Sequence, residues 1–159
     1  MKIHSFRLKP LVISILIPLA LGGLVGFLLR DDIKVYSTLE KPPLSPPGLV
    51  FPIVWSILYL LMGISCYLIY VTPHSPGRKK ALQLYAVQLA VNLVWPFLFF
   101  GKEAFLVAFI WLILLVVLVA AMIVQFFRVR PRAAYLQIPY LLWILFASYL
   151  NLGVWWLNR

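Results

Sequence analysis

Five apolar runs alternate with short polar stretches along the chain, over residues 11–29, 49–71, 81–100, 104–127 and 133–156. About 20 apolar residues are needed to carry a helix across the hydrocarbon core of a bilayer, so each run predicts one spanning helix. The expected fold class is an all-α integral membrane protein: a five-helix transmembrane bundle in a single domain over residues 1–159. Five crossings put the termini on opposite sides. The first run follows a basic start, MKIHSFRLKP, as a signal peptide would. It is too long for an h-region and has no A-x-A-like end, so it is read as a span. Pro18 is expected to bend it. Gly22 and Gly26 stand at GxxxG spacing and, with Gly23, offer a small-residue face for packing within the bundle or for a dimer seam.

One connection is long. Residues 30–48 hold three of the four acids (Asp31, Asp32, Glu40), Tyr36, and a proline-dense end, EKPPLSPPG. Proline fixes φ, lacks an N–H and keeps the preceding residue out of the helical region. Lys41, Pro42, Pro46 and Pro47 therefore predict a stiff, extended lid. Gly48 ends it, and Pro52 falls in the first turn of the next helix, where a missing N–H costs little. The other connections are TPHSPGRKK, GKE and RVRPR.

Composition agrees with the pattern. The chain is 64% hydrophobic and 11% charged, with a mean hydropathy of +1.01. A soluble fold of 159 residues could not cover that much apolar surface. The net charge of +10 lies in short clusters between apolar runs, which fits membrane topology and anionic lipid and argues against nucleic acid. Lys2, Arg7, Lys9, Arg78, Lys79, Lys80, Arg128, Arg130 and Arg132 share one side, with no acid among them. Arg30, Lys34, Lys41, Lys102 and Arg159 share the other with all four acids. In a bacterial-type plasma membrane this puts the N-terminus in the cytoplasm and the first loop and C-terminus outside. Cys66 is the single cysteine and lies within an apolar run, so no disulfide or Cys/His metal site is expected. His4 and His74 lie in polar segments and are read as solvated.

No ionisable Asp, Glu, Lys, Arg or His falls within the expected spans. Such residues mark pumps, voltage sensors and ion channels, so those classes are disfavoured. What remains is aromatic and amide chemistry. Tyr85, Gln88, Asn92, Trp95 and Phe99 share a face of the third span, and Trp55, Tyr59, Met62 and Cys66 share one of the second. Trp143, Ala147, Leu150, Asn151 and Val154 line up on the fifth. Trp155 and Trp156, at the end of the chain, are interfacial belt residues, and Trp111 faces lipid or packs. Trp55 and Trp143 sit deeper and are candidates for a pocket. Gln88 and Asn92, inside the membrane, need hydrogen-bond partners, from another helix or from a ligand. Flat aromatics with one or two amides and no charge suit a planar, largely apolar guest such as a tetrapyrrole, a sterol or an aromatic drug-like molecule.

The blocks LEKPPLSPPG, PIVWSILYLLMGIS, QLAVNLVWPFLFFGKE and IPYLLWILFASYLN run in an order that resembles the translocator protein family, also called TspO/MBR or the peripheral-type benzodiazepine receptor. The resemblance covers roughly residues 22 to 152. It implies a five-helix bundle, usually a homodimer, that binds porphyrins such as protoporphyrin IX or haem under its first loop and needs no cofactor. In many members cholesterol and synthetic ligands bind as well. The family's contact positions carry over to Trp55, Tyr59, Asn92, Trp95, Trp143, Ala147 and Leu150, with Tyr36 as a loop aromatic near the pocket mouth; Gln88 joins them from its face. Trp55 and Trp143 match a tryptophan pair to which light-dependent porphyrin breakdown is attributed. Three readings therefore stand: binder or sensor, photochemical enzyme, and strict transporter. Two family tryptophans of the loop are Val35 and Leu44 here, and Leu152 and Gly153 replace the tyrosines of the animal cholesterol motif.

Overall fold

The computed structural model describes residues 6–159; Lys2 and His4, counted above, lie outside the described residues. The regular structure among the described residues is all helical, running through α1 (Leu8–Leu28), α2 (Val50–Tyr70), α3 (Pro76–Pro96), α4 (Phe105–Val129), α5 (Pro131–Tyr135) and α6 (Ile138–Leu157). Among those residues five helical segments are long and apolar enough to cross a membrane, the fifth being α5 and α6 taken together. This is an integral membrane bundle.

Three local features differ from the sequence expectation, and the first two have a side-chain cause. The third span begins at Pro76 and takes up most of the basic linker. Ser75 caps it, its hydroxyl oxygen accepting from the Arg78 N–H at 3.1 Å, and Pro76 occupies the first helical position. The fifth crossing is broken at Leu136 and Gln137, because Pro139 offers no N–H to continue the ladder. The buried Gln137 side chain donates there to the Leu61 carbonyl at 3.2 Å and to the Ser65 hydroxyl at 2.8 Å. In the first loop, Asp32–Thr38 forms a 3₁₀ helix, so only the proline-rich half is extended.

Pro96 has a related effect on α3. Its missing N–H frees the Asn92 carbonyl, and the chain widens into a π turn over Phe97–Gly101, closed by the Lys102 N–H on the Phe97 carbonyl at 2.9 Å. That turn brings Phe99 and Phe100 round toward the first loop.

The core lies among α2, α3, α4 and α6, where Met62, Ile69, Val119, Met122, Phe126 and Ile144 are fully buried. By contrast α1 fully buries only Pro18; a half-buried face that includes Ser14, Ile15, Leu19 and Gly22 packs on α2, and its other side points outward. Small residues hold it in place. A β-carbon at Gly63 would sit 2.5 Å from the Ile15 α-carbon and 2.6 Å from the Ser14 carbonyl oxygen, so α1 and α2 cross backbone to backbone. Gly22 lies against the Tyr59 ring, whereas Gly23 and Gly26 meet nothing within 4 Å. The GxxxG pair is thus split, one glycine packing inside and one facing out.

Gly63→Val should force α1 off α2 and cost about 1–3 kcal/mol, the usual price of overpacking a close contact. The same change at Gly26, which meets nothing, should be near neutral. Thermal unfolding in detergent distinguishes the two.

Candidate functional site

The proline half of the first loop folds over the end of the bundle and is fastened there. Pro42 is buried against α6; a β-carbon on Gly153 would come within 2.5 Å of its ring. Asn158 pairs with the Glu40 backbone in both directions, accepting from its N–H at 3.0 Å and donating to its carbonyl at 2.8 Å. The Tyr149 hydroxyl donates to the Pro43 carbonyl at 2.8 Å. Inside the loop, the Tyr36 hydroxyl donates to the Pro46 carbonyl at 2.7 Å. Lys41 Nζ donates to the carbonyls of Tyr36 and Leu39 at 2.9 and 3.0 Å and lies 4.9 Å above the Tyr36 ring. Burial pushes the Tyr36 phenol above its ordinary range, with a hydrogen bond to Ser45 partly opposing, so it stays a neutral donor at physiological pH. Pro47 is exposed and hands the chain to α2, its carbonyl accepting from the Val50 N–H at 3.0 Å.

Beneath this lid lies a chamber. Tyr36 and Ser45 form its roof and Phe51 one wall; Trp95, Phe99 and Phe100 come from α3 and its π turn. Ala147, Leu150, Asn151 and Val154 supply the α6 side. Trp95 is oriented by its indole N–H, which donates to Asn151 Oδ1 at 3.0 Å, and Asn151 in turn donates to the Phe105 carbonyl at 2.8 Å. The cavity is about 30 Å³, close to the volume of one water in the liquid. The lining side chains have collapsed on one another.

A layer of hydrogen bonds lies below the chamber and joins three helices. Tyr59 of α2 donates to Asn92 Oδ1 at 2.7 Å, Asn92 Nδ2 of α3 donates to the Tyr140 hydroxyl at 2.8 Å, and Tyr140 of α6 donates to Gln88 Oε1 at 2.8 Å. All four residues are buried. The two amides are thereby engaged with tyrosines across the bundle. Trp55 packs on this layer, its ring centroid 5.6 Å from Tyr59 and 6.2 Å from Tyr140.

Trp143 lies elsewhere. It stands in the seam between α2 and α6, its ring meeting Phe51 edge-on at 5.9 Å and Phe146 at 5.7 Å. On its outer side is an open apolar groove of about 450 Å³ bounded by Val54, Ile57 and Leu58 of α2 and by Pro139, Leu142 and Phe146 of α6.

Of the residues singled out in the sequence, Tyr36, Trp95, Ala147 and Leu150 meet at the chamber, under a lid held by Lys41, Pro42 and Pro46. Trp55, Tyr59, Gln88 and Asn92 form the floor, and Trp143 closes the seam. The sequence reading missed Tyr140, which joins both amides, and Phe51, the wall between chamber and seam. Each had a signal: Tyr140 is three residues before Trp143 on the same helix, and Phe51 is four before Trp55. Asn158 and Tyr149 had none, because what they hold is loop backbone far away in sequence. Leu44 projects outward, 81% exposed with φ 71°, and takes no part in the chamber. Trp111 packs, its indole N–H donating to the Val91 carbonyl at 2.8 Å.

The profile of the TspO/MBR family matches residues 14–157. The chain is 38% identical to the translocator protein of Ovis aries over 142 residues, covering 87% of this chain and 84% of the relative. Against the tryptophan-rich protein TspO of Archaeoglobus fulgidus it is 37% identical over 150 residues, with 93% and 96% covered. The tryptophan-rich sensory protein of Cereibacter sphaeroides is 36% identical over 133 residues, with 84% and 82% covered.

Tyr140→Phe deletes the hydroxyl that bridges Asn92 and Gln88 and leaves Asn92 Nδ2 and Gln88 Oε1 unpaired in the core. It should lower stability by about 1–3 kcal/mol, the cost of unpaired buried polar groups. Tyr135→Phe, at an exposed position, should leave the unfolding midpoint unchanged in the same detergent melt.

Proposed function

The chain belongs to the TspO/MBR family, and from that premise we propose that it is a membrane tetrapyrrole-binding protein of the translocator and sensor type. Its guest is a planar, largely apolar molecule such as protoporphyrin IX or haem, held in the chamber under the first loop. The observation that carries this reading is the chamber lining: Tyr36, Phe51, Trp95, Phe99 and Phe100 surround one space, with Asn151 as the polar group at its edge. Flat rings on several sides stack on a flat guest, and a few polar atoms set its orientation. The other partners proposed are membrane lipid and a second copy of the chain in a homodimer.

The charge count supports a cytoplasmic N-terminus and an outward-facing lid in a bacterial-type plasma membrane. In that arrangement the chamber lies near the outer membrane surface. A second reading, light-driven breakdown of the bound tetrapyrrole, draws on Trp55, whose ring lies against Tyr59 and Tyr140, and on Trp143. Here the chromophore is the guest itself and the tryptophans are its redox partners.

Ala147, 7% exposed and on the chamber wall, gives the most direct test. In the dark, protoporphyrin IX should quench the tryptophan emission of the parent protein saturably. Ala147→Val, whose two added methyl groups take up the small space, should weaken binding by on the order of tenfold or more, with the unfolding midpoint of the variant measured alongside to show that the fold is kept. Equal affinity in the two proteins would sink the chamber as the site. Illumination of the same samples tests the second reading: decay of the porphyrin band that Trp143→Phe abolishes would make the protein an enzyme.

A further inference from the structure

The chamber is closed in this structure, and a guest has to move one of its walls. At about 30 Å³ it falls far below the roughly 300 Å³ that small-molecule sites begin at. Two walls are candidates: the lid above, and the seam between α2 and α6.

The lid is fastened by the Asn158 pairing with Glu40, the Tyr149 bond to Pro43 and the seat of Pro42 on Gly153. Tyr36 and Lys41 also brace it from within. Lifting it breaks all of these together. The seam is different. The backbones of α2 and α6 stay apart there, unlike those of α3 and α4 or of α4 and α6. Trp143 lines the 450 Å³ groove, Phe51 lines the chamber, and the two rings meet edge-on between them. The Trp143 indole N–H is buried without a hydrogen-bond partner among the described residues. Its ring can turn without breaking a hydrogen bond, and a buried donor left unpaired can bond an acceptor on an entering guest. The outer surface of the groove is apolar and lies on a membrane-spanning part of the bundle, so it is continuous with the lipid in which an apolar tetrapyrrole dissolves.

Resting on the tetrapyrrole reading above, we propose that the chamber is loaded sideways from the bilayer, through the seam between α2 and α6, while the lid stays latched. Phe51 and Trp143 form the inner gate, and the groove bounded by Ile57 and Leu142 is the passage leading to it.

Rates separate this route from entry through the lid. The protein would be reconstituted in phosphatidylcholine nanodiscs, and protoporphyrin IX binding and release followed in the dark by the porphyrin's own emission. Leu142→Trp and Ile57→Trp obstruct the passage from its two walls; both positions face outward, 62% and 53% exposed, so the fold tolerates them. A plug on the path, outside the chamber, should slow association and dissociation by the same factor, on the order of tenfold, and leave Kd unchanged. The unlatched variant Tyr149→Phe with Asn158→Ala should associate within about twofold of the parent. Faster association in the unlatched variant, with both plugged variants unaffected, would overturn the sideways route and assign entry to the lid. A changed Kd with unchanged association in the plugged variants would also overturn it, by making the groove a binding site. Absence of saturable binding in the parent protein would remove the tetrapyrrole reading itself, a result visible before any variant is compared.

Discussion

Inside a bilayer a buried amide or hydroxyl has no solvent to turn to, and the chain from Tyr59 through Asn92 and Tyr140 to Gln88 answers that constraint. It ties α2, α3 and α6 at one level, and the aromatic residues of the site are set out around it. Trp55 packs on it, tilted against Tyr59 and edge-on to Tyr140, Trp95 stands one turn above Asn92, and Trp143 is one turn from Tyr140. Lipid tails are as apolar as the helices they surround, so there is little hydrophobic reason for one helix to prefer another over the membrane. Close small-residue contacts and hydrogen bonds of this kind supply the preference. Gly63 does so for α1, and Gln137 for the break before α6.

Proline shapes the other end of the site. Pro96 removes an N–H near the end of α3, and the resulting π turn directs Phe99 and Phe100 toward the loop. The four prolines of the loop stiffen its second half at little entropic cost, since their φ angles are restricted before folding. A stiff strap still has to be held down. The holding groups come from α6: an amide at Asn158, a hydroxyl at Tyr149 and the bare backbone of Gly153. Where the animal cholesterol motif would have a tyrosine, this chain has Gly153, and the room it leaves is taken by Pro42.

The lid is latched, the chamber's rings pack on one another, and the floor is held by its own hydrogen bonds. Opening a side wall of unbonded rings disturbs less than lifting a strap held by several bonds. On the sideways route proposed above, a membrane-dissolved guest would exchange without exposing the interior to water.

The hydrophobic pattern alone determined the five crossings, because length and apolarity are properties of each segment by itself. It also marked the polar and aromatic faces, since helical spacing is local: Trp95 fell on one shared face and Ala147 with Leu150 on another, whereas Tyr36 was picked out as a site candidate only through the resemblance to the family. The roles within the site were not legible. Whether Asn92 and Gln88 faced a guest or a neighbouring helix depended on where the hydroxyl of Tyr140 fell, 48 residues from the first of them. The separation of Trp143 from Trp55, one in the seam and the other on the floor, follows from the spacing of α2 and α6. The latch joins Glu40 to Asn158 across 118 residues through backbone atoms that carry no sequence signature. Periodicity reports which way a side chain points from its own helix; only the tertiary structure decides what it meets there.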